Sequence, residues 1–372
     1  MADRSIWEAL PFHFWTVTAF IFGSIVGSFL NVCIHRLPLG QSIVSPPSHC
    51  PHCGYSIPWY LNIPLFTWIW LGGRCAHCKG PISSRYLLVE LLTAALFAAC
   101  WIQFGRVSPL LPVAYGILIS GLIIGSFIDL EHLIIPDQIT YGGMVAGLLC
   151  SFVAPQMHLA FPRFTPLSSP GAGLVDSFLG LAVGAGLIYG ILRMGKFFLG
   201  RQKINLPPAT RIVFTETAVQ LPGEKIAYED LFYRKTDAVE MQALRVELMD
   251  RCYANIPLRL TADSLKIGAD NFDPEKVLCL EAVADRIVLP REAMGPADVT
   301  FMAAIGAFLG WPAVFFCLAI SSLLGALVGG TAIVLKKRDW SSQIPYGPYI
   351  AVGAVVWIFG GYQWLRTILM LR

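Results

Sequence analysis

Long apolar runs separated by short polar breaks dominate the chain. The stretch from Leu110 to Ile128 contains no charged residue, and a helix of about 20 such residues crosses the hydrocarbon layer of a bilayer. Further runs cover Phe14–Ile34, Leu87–Phe104, Gln138–Ala154, Gly173–Leu192, Pro312–Leu335 and Tyr349–Leu371. A shorter one, Val299–Leu309, predicts a brief helix before the break at Gly310-Trp311-Pro312. The pattern predicts an all-α polytopic membrane protein with about eight transmembrane helices.

Two segments interrupt it. Residues 35–84 form a loop rich in proline and glycine that carries paired cysteines. Residues 201–290 hold 12 of the 27 Lys+Arg and 14 of the 24 Asp+Glu, a charge density that lipid does not accept. This second segment reads as a soluble cytoplasmic insert of mixed α/β character. Arg211–Thr217 and Lys276–Val283 alternate like strands, and Asp270-Asn271-Phe272-Asp273-Pro274 reads as a turn. Ala238–Asp250, with Val239, Leu244 and Leu248 apolar, reads as a helix. The resulting division is 1–34, first span; 35–84, cytoplasmic loop domain; 85–200, spans two to five; 201–290, insert; 291–372, spans six to eight.

Composition agrees. The 372 residues are 55% hydrophobic and 14% charged, against roughly 25% charged in soluble domains, so lipid must solvate much of the surface. A net charge of +3 is too small to argue for nucleic acid. The first run lacks the basic leader of a cleavable signal peptide. Basic residues cluster at Arg36, Arg74, Lys79 and Arg85, at Arg193, Lys196, Arg201 and Lys203, and at Lys336, Lys337 and Arg338. With the N-terminus outside, all three clusters fall on the cytoplasmic side, as the positive-inside rule asks.

Cys50-Pro-His-Cys53 and Cys75-Ala-His-Cys78 stand 21 residues apart. Two such knuckles can place four thiolates around one tetrahedral zinc ion. With every position filled by sulfur the ion would hold structure and cleave nothing. Two disulfides, disfavoured in a reducing cytosol, or reactive thiols are the alternatives. His52 and His77 lie inside the knuckles as bystanders.

Two aspartates lie at the edges of apolar runs: Asp129, in Gly125-Ser-Phe-Ile-Asp129, and Asp298, in Gly295-Pro-Ala-Asp298. A carboxylate at that depth costs about 2.5–3.5 kcal/mol and marks a candidate functional site, although Asp298 could equally serve as a favourable charge at a helix N-terminus. Two carboxylates brought together do not both ionise cheaply, so one stays protonated while the other acts as a base. That pair can activate water and protonate a peptide carbonyl. Glu131 and Asp137 lie beyond the apolar run and are weaker candidates.

Ordered motifs carry a resemblance. Gly27-Ser-Phe-Leu-Asn31-Val-Cys-Ile-His-Arg36-Leu-Pro38 and the cysteine pairs are followed by Asn62-Ile-Pro-Leu65 and Arg85-Tyr-Leu-Leu-Val-Glu90. Then come Ile135-Pro-Asp137, Gly306-Ala-Phe-Leu-Gly310-Trp311 and Ile344-Pro-Tyr-Gly-Pro348. In this order they resemble the bacterial type 4 prepilin peptidases, from about residue 15 to the C-terminus with the insert excluded. The resemblance implies an aspartic protease of the bacterial inner membrane, with Asp129 and Asp298 catalytic and the active site facing the cytoplasm. It would remove a short basic leader from type 4 prepilins and type II secretion pseudopilins. It also implies methylation of the new N-terminus by S-adenosylmethionine, with Arg36 and Glu90 in the region concerned, and contact with pilus or secretion assembly proteins. Two departures stand out: Ala297 where the family has glycine, and Thr300 where lysine is usual. An ion-coupled transporter using the same aspartates is a rival reading, but few polar residues line the spans. An inactive assembly scaffold is another, resting on Ala297, Thr300 and the insert.

Overall fold

The computed structural model describes residues 10–160, 165–199, 201–222, 224–232, 237–248, 251–274, 277, 279–290, 295–335 and 345–368. The basic cluster Lys336–Arg338 and Ile344 lie outside the described residues. The chain divides into two units, Met1–Tyr189 with Gly295–Arg372, and Gly190–Met294.

The first unit is helical. Its helices of seven residues or more are α1 (Phe12–Arg36), α2 (Ser84–Phe104), α3 (Leu110–His132), α4 (Asp137–Val153), α5 (Pro170–Leu199, which begins in this unit), α6 (Pro296–Leu309), α7 (Trp311–Val334), α8 (Gly347–Val356) and α9 (Tyr362–Ile368). Among the described residues, α1, α2, α3, α5 and α7 are long and apolar enough to cross a membrane. The other apolar runs give shorter pieces: α4 has 17 residues and α6 has 14. The last run is broken by a wide turn at Trp357–Gly361, where Gly360 takes φ +118°, so α8 has only 10 residues. Val17, Phe22, Val113, Leu149, Phe152 and Val175 all expose large apolar side chains, a face that lipid satisfies and water does not.

Small residues set the packing around α6. A Cβ at Gly180 of α5 would lie 2.1 Å from the Gly306 carbonyl oxygen, and one at Gly147 of α4 would lie 2.8 Å from Ala307 Cβ. Glycine lets these backbones touch, which is how helices associate where no hydrophobic force separates lipid from side chain. The buried interior of α6, including Phe301, Met302, Ile305 and Phe308, follows from that enclosure.

The second unit is an antiparallel sheet of eight strands: β1 (Arg201–Thr215), β2 (Ala218–Leu221), β3 (Glu224–Ala227), β4 (Ala238–Glu247), β5 (Cys252–Thr261), β6 (Ser264–Ile267), β7 (Asp270–Phe272) and β8 (Cys279–Pro290). Their spatial order is β3-β2-β1-β8-β4-β5-β6-β7. The mixed α/β expectation is corrected: among the described residues of 201–290 there is one single-turn helix, Tyr228–Leu231. Of the segment read as a helix at Ala238–Asp250, Ala238–Glu247 is strand β4, and residues 249–250 lie outside the described residues. Val239, Met241 and Ala243 point inward at period two, then Leu244 and Arg245 are both exposed before Val246 returns to the core. Leu244 stands opposite the region of Asn255, whose φ is +50°, and that irregularity interrupts the alternation that would have revealed a strand. Likewise Asp270–Phe272, read as a turn, pairs with β6. Pro207 and Pro208, which cannot both serve a ladder, fall in the register shift between Asn205 and Thr210 of β1.

Candidate active site and metal centre

Helix α3 ends one turn beyond Asp129. Leu133, at φ +56°, donates its N–H to the Asp129 carbonyl and turns the chain towards α4. Helix α8 begins at Gly347-Pro348, with proline at the first turn, where its missing N–H costs nothing. The free Gly347 N–H at that helix start donates to Asp129 Oδ2 at 2.8 Å. Asp298 occupies the first turn of α6, and its Oδ2 accepts the Gly295 N–H at 3.2 Å. Both aspartates are buried, 6% and 7% exposed, and the two carboxylates lie close enough to feel each other's charge. Packing brackets the pair. Gly125, one turn before Asp129, lies against the ring of Phe301, one turn after Asp298; a Cβ there would meet that ring at 3.0 Å.

The motif around residues 344–348 thus contributes a backbone donor, which sequence reasoning quoted without assigning a role. Tyr346 anchors it: its hydroxyl hydrogen-bonds with Ser321 Oγ at 2.8 Å and Ser322 Oγ at 3.2 Å on α7. A Cβ on Gly347 would stand 2.9 Å from Asp129 Oδ2 and 3.1 Å from Ile135 Cδ1. We therefore expect Gly347→Ala to displace the Asp129 carboxylate and lower the turnover of any reaction the pair catalyses by about 100-fold, the usual scale for a misplacement near 1 Å. Steady-state kinetics with unchanged protein yield would check this.

The weaker candidates do not join the pair. Glu131 accepts from the Arg85 guanidinium across the α2–α3 contact, which sets Asp129 at the end of the bundle that carries the cysteine loop. Asp137 is exposed at the start of α4. Thr300 turns its hydroxyl back onto the Ala297 carbonyl at 3.0 Å, within its own helix.

A second buried polar cluster gave no sequence signal, because its members are scattered over three elements. His158 bridges Asp176 (2.9 Å) and Ser151 (2.7 Å), and Ser151 donates to the Gly147 carbonyl at 2.6 Å. Ser151 and His158 are fully buried. Ser177 donates to the Ala307 carbonyl, which also lies 3.2 Å from Ser151 Oγ. The row looks like a nucleophile and its base, but its hydroxyl already donates to backbone; it fixes the far end of α6.

The cysteine loop folds into two matched turns. Gly54 N–H donates to the Cys50 carbonyl and Lys79 N–H to that of Cys75, while Cys50 N–H reaches Tyr55 O and Cys75 N–H reaches Gly80 O, all between 2.9 and 3.1 Å. The four sulfurs of Cys50, Cys53, Cys75 and Cys78 lie within 4.8 Å of one another, with Cys50 and Cys78 at 3.8 Å. Tetrahedral zinc with bonds of about 2.3 Å needs sulfurs about 3.8 Å apart, so the set could hold such an ion. Backbone N–H groups of Cys78 and His77 pull the Cys75 thiol down, while the Cys53 thiol in the same cluster is raised, so the four sulfurs share their protons unevenly. His77 stacks on Tyr55 with ring centroids 5.2 Å apart, and His52 packs beside Gly80. Both imidazoles tie one knuckle to the other.

Arg36 and Glu90 are both buried and both engaged by the loop's backbone. Arg36 donates to the carbonyls of Ser42 (3.0 Å) and Pro46 (2.7 Å). Glu90 Oε2 accepts the Leu65 N–H at 2.7 Å, and Gly27 lets α1 approach at this level, since a Cβ there would lie 2.7 Å from Glu90 Cα.

Apolar helices, a buried pair of aspartates and a four-cysteine cluster define the class: a multi-pass membrane protein with a paired-carboxylate centre. Residues 21–104 match the family model described as the bacterial peptidase A24 N-terminal domain, and residues 116–202 and 277–330 match the type IV leader peptidase family. The chain belongs to that family. It is 50% identical over 136 residues to the prepilin leader peptidase/N-methyltransferase of Myxococcus xanthus, a match covering 36% of this chain and 40% of that protein. It is 26% identical over 388 residues to the protein of that name from Aeromonas hydrophila, covering 97% and 96% of the two chains. The type 4 prepilin-like proteins leader peptide-processing enzyme of Escherichia coli O78:H11 is 41% identical over 145 residues, covering 33% and 52%. No solved structure matches the chain significantly. The gap in the second family match, residues 203–276, falls within the sheet unit.

Proposed function

We propose that the protein is an aspartic endopeptidase of the bacterial inner membrane. It removes the short basic leader of type 4 prepilins or type II secretion pseudopilins, with Asp129 and Asp298 as the catalytic pair. The observation that carries this reading is two buried carboxylates, at the end of α3 and the start of α6, near enough to interact electrostatically in a chain of this family. One carboxylate takes a proton from water as the oxygen attacks the scissile carbonyl, and the other, protonated, gives its proton to the carbonyl oxygen. The leaving amine then takes up a proton as the C–N bond breaks. The backbone donors Gly347 N–H and Gly295 N–H orient the two carboxylates, and the enclosing helices exclude bulk water.

In this reading α4, α6 and the broken α8–α9 complete eight spans, and the cysteine loop and the sheet unit lie in the cytoplasm. The four cysteines hold a structural zinc. The relatives' names extend the reading to N-methylation of the exposed amine, for which S-adenosylmethionine supplies the methyl group when bound. Arg36 and Glu90 lie in the region of that reaction, where both bond backbone groups of the loop; in this reading their part is to hold the loop in place. Incubating the purified protein with a prepilin and S-adenosylmethionine and reading product masses tests the whole. Leader loss plus one methyl group is expected from the wild type. Arg36→Ala and Glu90→Gln should retain cleavage while methyl transfer drops at least tenfold. Intact prepilin with the wild type would overturn the peptidase assignment, and parallel loss of both activities in these variants would overturn the loop's separate role.

A further inference from the structure

Residues 58–71 of the cysteine loop have a surface that does not suit water. Trp59 is 83% exposed and Trp70 is 75% exposed, and Tyr60, Ile63, Phe66 and Ile69 also point outward. Singly such residues mean little, but six within one short segment make an apolar patch that marks an interaction site.

The segment also lies deep. Its Leu65 N–H is held by Glu90, the seventh residue of α2, at the level of Gly27, nine residues before the end of α1. At 1.5 Å per residue that level is about 9–14 Å inside the helix ends. The local backbone suits such a place. Leu61, Asn62, Phe66, Thr67 and Ile69 donate to carbonyls of the segment itself, and the donor at the tip, Leu65, is met by a carboxylate. With no water in the hydrocarbon core, backbone donors at that depth need partners within the protein; here the short helical turns Trp59–Leu61 and Phe66–Trp70 supply many of them. Leu65 has φ +62° and ψ −52°, with Phe66 N–H bonded to the Pro64 carbonyl. This is a tight γ-turn that costs a leucine roughly 1–3 kcal/mol and persists only where its surroundings fix it.

Between this segment and α1 runs a cavity of about 840 Å³. Phe20, Ile21, Ile25 and Phe29 form one wall and Trp59, Ile63, Phe66 and Ile69 the other. Ile21, Ile25 and Phe29 belong to the outward, lipid-facing side of α1, so the cavity is continuous with the surface the bilayer covers. Among the described residues Arg36 is the one charged side chain lining it, so the described lining offers a basic leader segment no carboxylate.

We propose that residues 58–71 form a re-entrant segment dipping into the bilayer beside α1, and that the cavity between them takes a phospholipid acyl chain. The bound chain substitutes for the missing protein wall, the exposed tryptophans settle at the interface, and the cysteine loop is thereby clamped to the membrane surface. The proposal rests on the membrane placement given above and adds a lipid contact to the loop domain.

The test uses the full chain in phosphatidylethanolamine–phosphatidylglycerol nanodiscs, with a photoreactive benzoylphenylalanine in place of Phe66 or Trp70. The same probe at Phe178 of α5 serves as a lipid-facing reference, and at Arg259 of β5 as a reference away from lipid. Mass spectrometry after irradiation should show phospholipid adducts at Phe66 and Trp70 within threefold of Phe178 and at least tenfold above Arg259. Retained metal content shows that the loop is folded in each variant. Adducts at Phe178 but none at Phe66 or Trp70 would overturn the proposal. So would adducts to an added prepilin that replace the lipid ones. No adduct at Phe178 would instead overturn the membrane placement on which it rests.

Discussion

Asp129→Asn and Asp298→Asn should each reduce prepilin cleavage by at least about 10⁴-fold, the scale on which a general acid or base acts when its partner depends on it. The amide keeps the shape of the carboxyl. An asparagine at position 129 can still accept the Gly347 N–H, and one at 298 can still accept the Gly295 N–H, so the helix contacts that depend on these bonds survive. What is lost is the ability to move a proton. The double variant should be no slower than either single one, because half of an acid–base pair does nothing alone. Rates read by mass spectrometry on purified, metal-loaded protein decide it. A single variant retaining more than about one-tenth of the wild-type rate would remove that residue from the pair, since an acid or base is worth at least about 10².

The aspartates and cysteines of the candidate site stand out in the sequence, but the framework that holds them does not. Asp129 and Asp298 stand out because a charge at the edge of an apolar run is expensive and rarely idle. The four cysteines stand out because their spacing admits one tetrahedral ion. Gly347 could not be found in this way. Its contribution is a backbone N–H, which every residue but proline carries, and its identity matters only because Asp129 Oδ2 and Ile135 crowd the missing Cβ. Leu65 is similar: its turn and its bond to Glu90 are set by tertiary contacts that leave no periodic trace.

The span count shows the same limit. Apolar runs mark the helices, yet whether a run is one helix or several depends on single residues. Gly310 ends α6 and Gly360 breaks the last run into α8 and α9. In the sheet unit β4 misled for a complementary reason. Its inward residues Val239, Met241 and Ala243 do alternate, but exposed Leu244 and Arg245 then shift the phase before Val246. A pattern with one slip fits a helical window about as well as a strand.

Replacing Cys50 and Cys75 together by serine should release one zinc ion per chain and unfold the cysteine loop while the helices persist. Between residues 37 and 83 the only apolar side chains that are fully buried are those two cysteines. The loop therefore has no fully buried apolar core other than the sulfur cluster, and Trp59, Tyr60, Phe66 and Trp70 face outward. In zinc-finger peptides such a site supplies about 10–16 kcal/mol at neutral pH, and the peptide does not fold without it. The two knuckle turns, the Tyr55–His77 stack and the packing of His52 on Gly80 bring no buried area that could compensate. Metal analysis should thus fall from one equivalent to near zero, and trypsin should gain access at Arg74 and Lys79, which the folded loop restrains. Because all four metal positions are thiols, no site is left for water, so cleavage by Asp129 and Asp298 should outlast metal removal by a chelator. Methyl transfer, which depends on the loop that Arg36 and Glu90 hold, should not. Wild-type protein prepared without reductant loss yet carrying no metal, with the four thiols oxidised to two disulfides, would refute the zinc site.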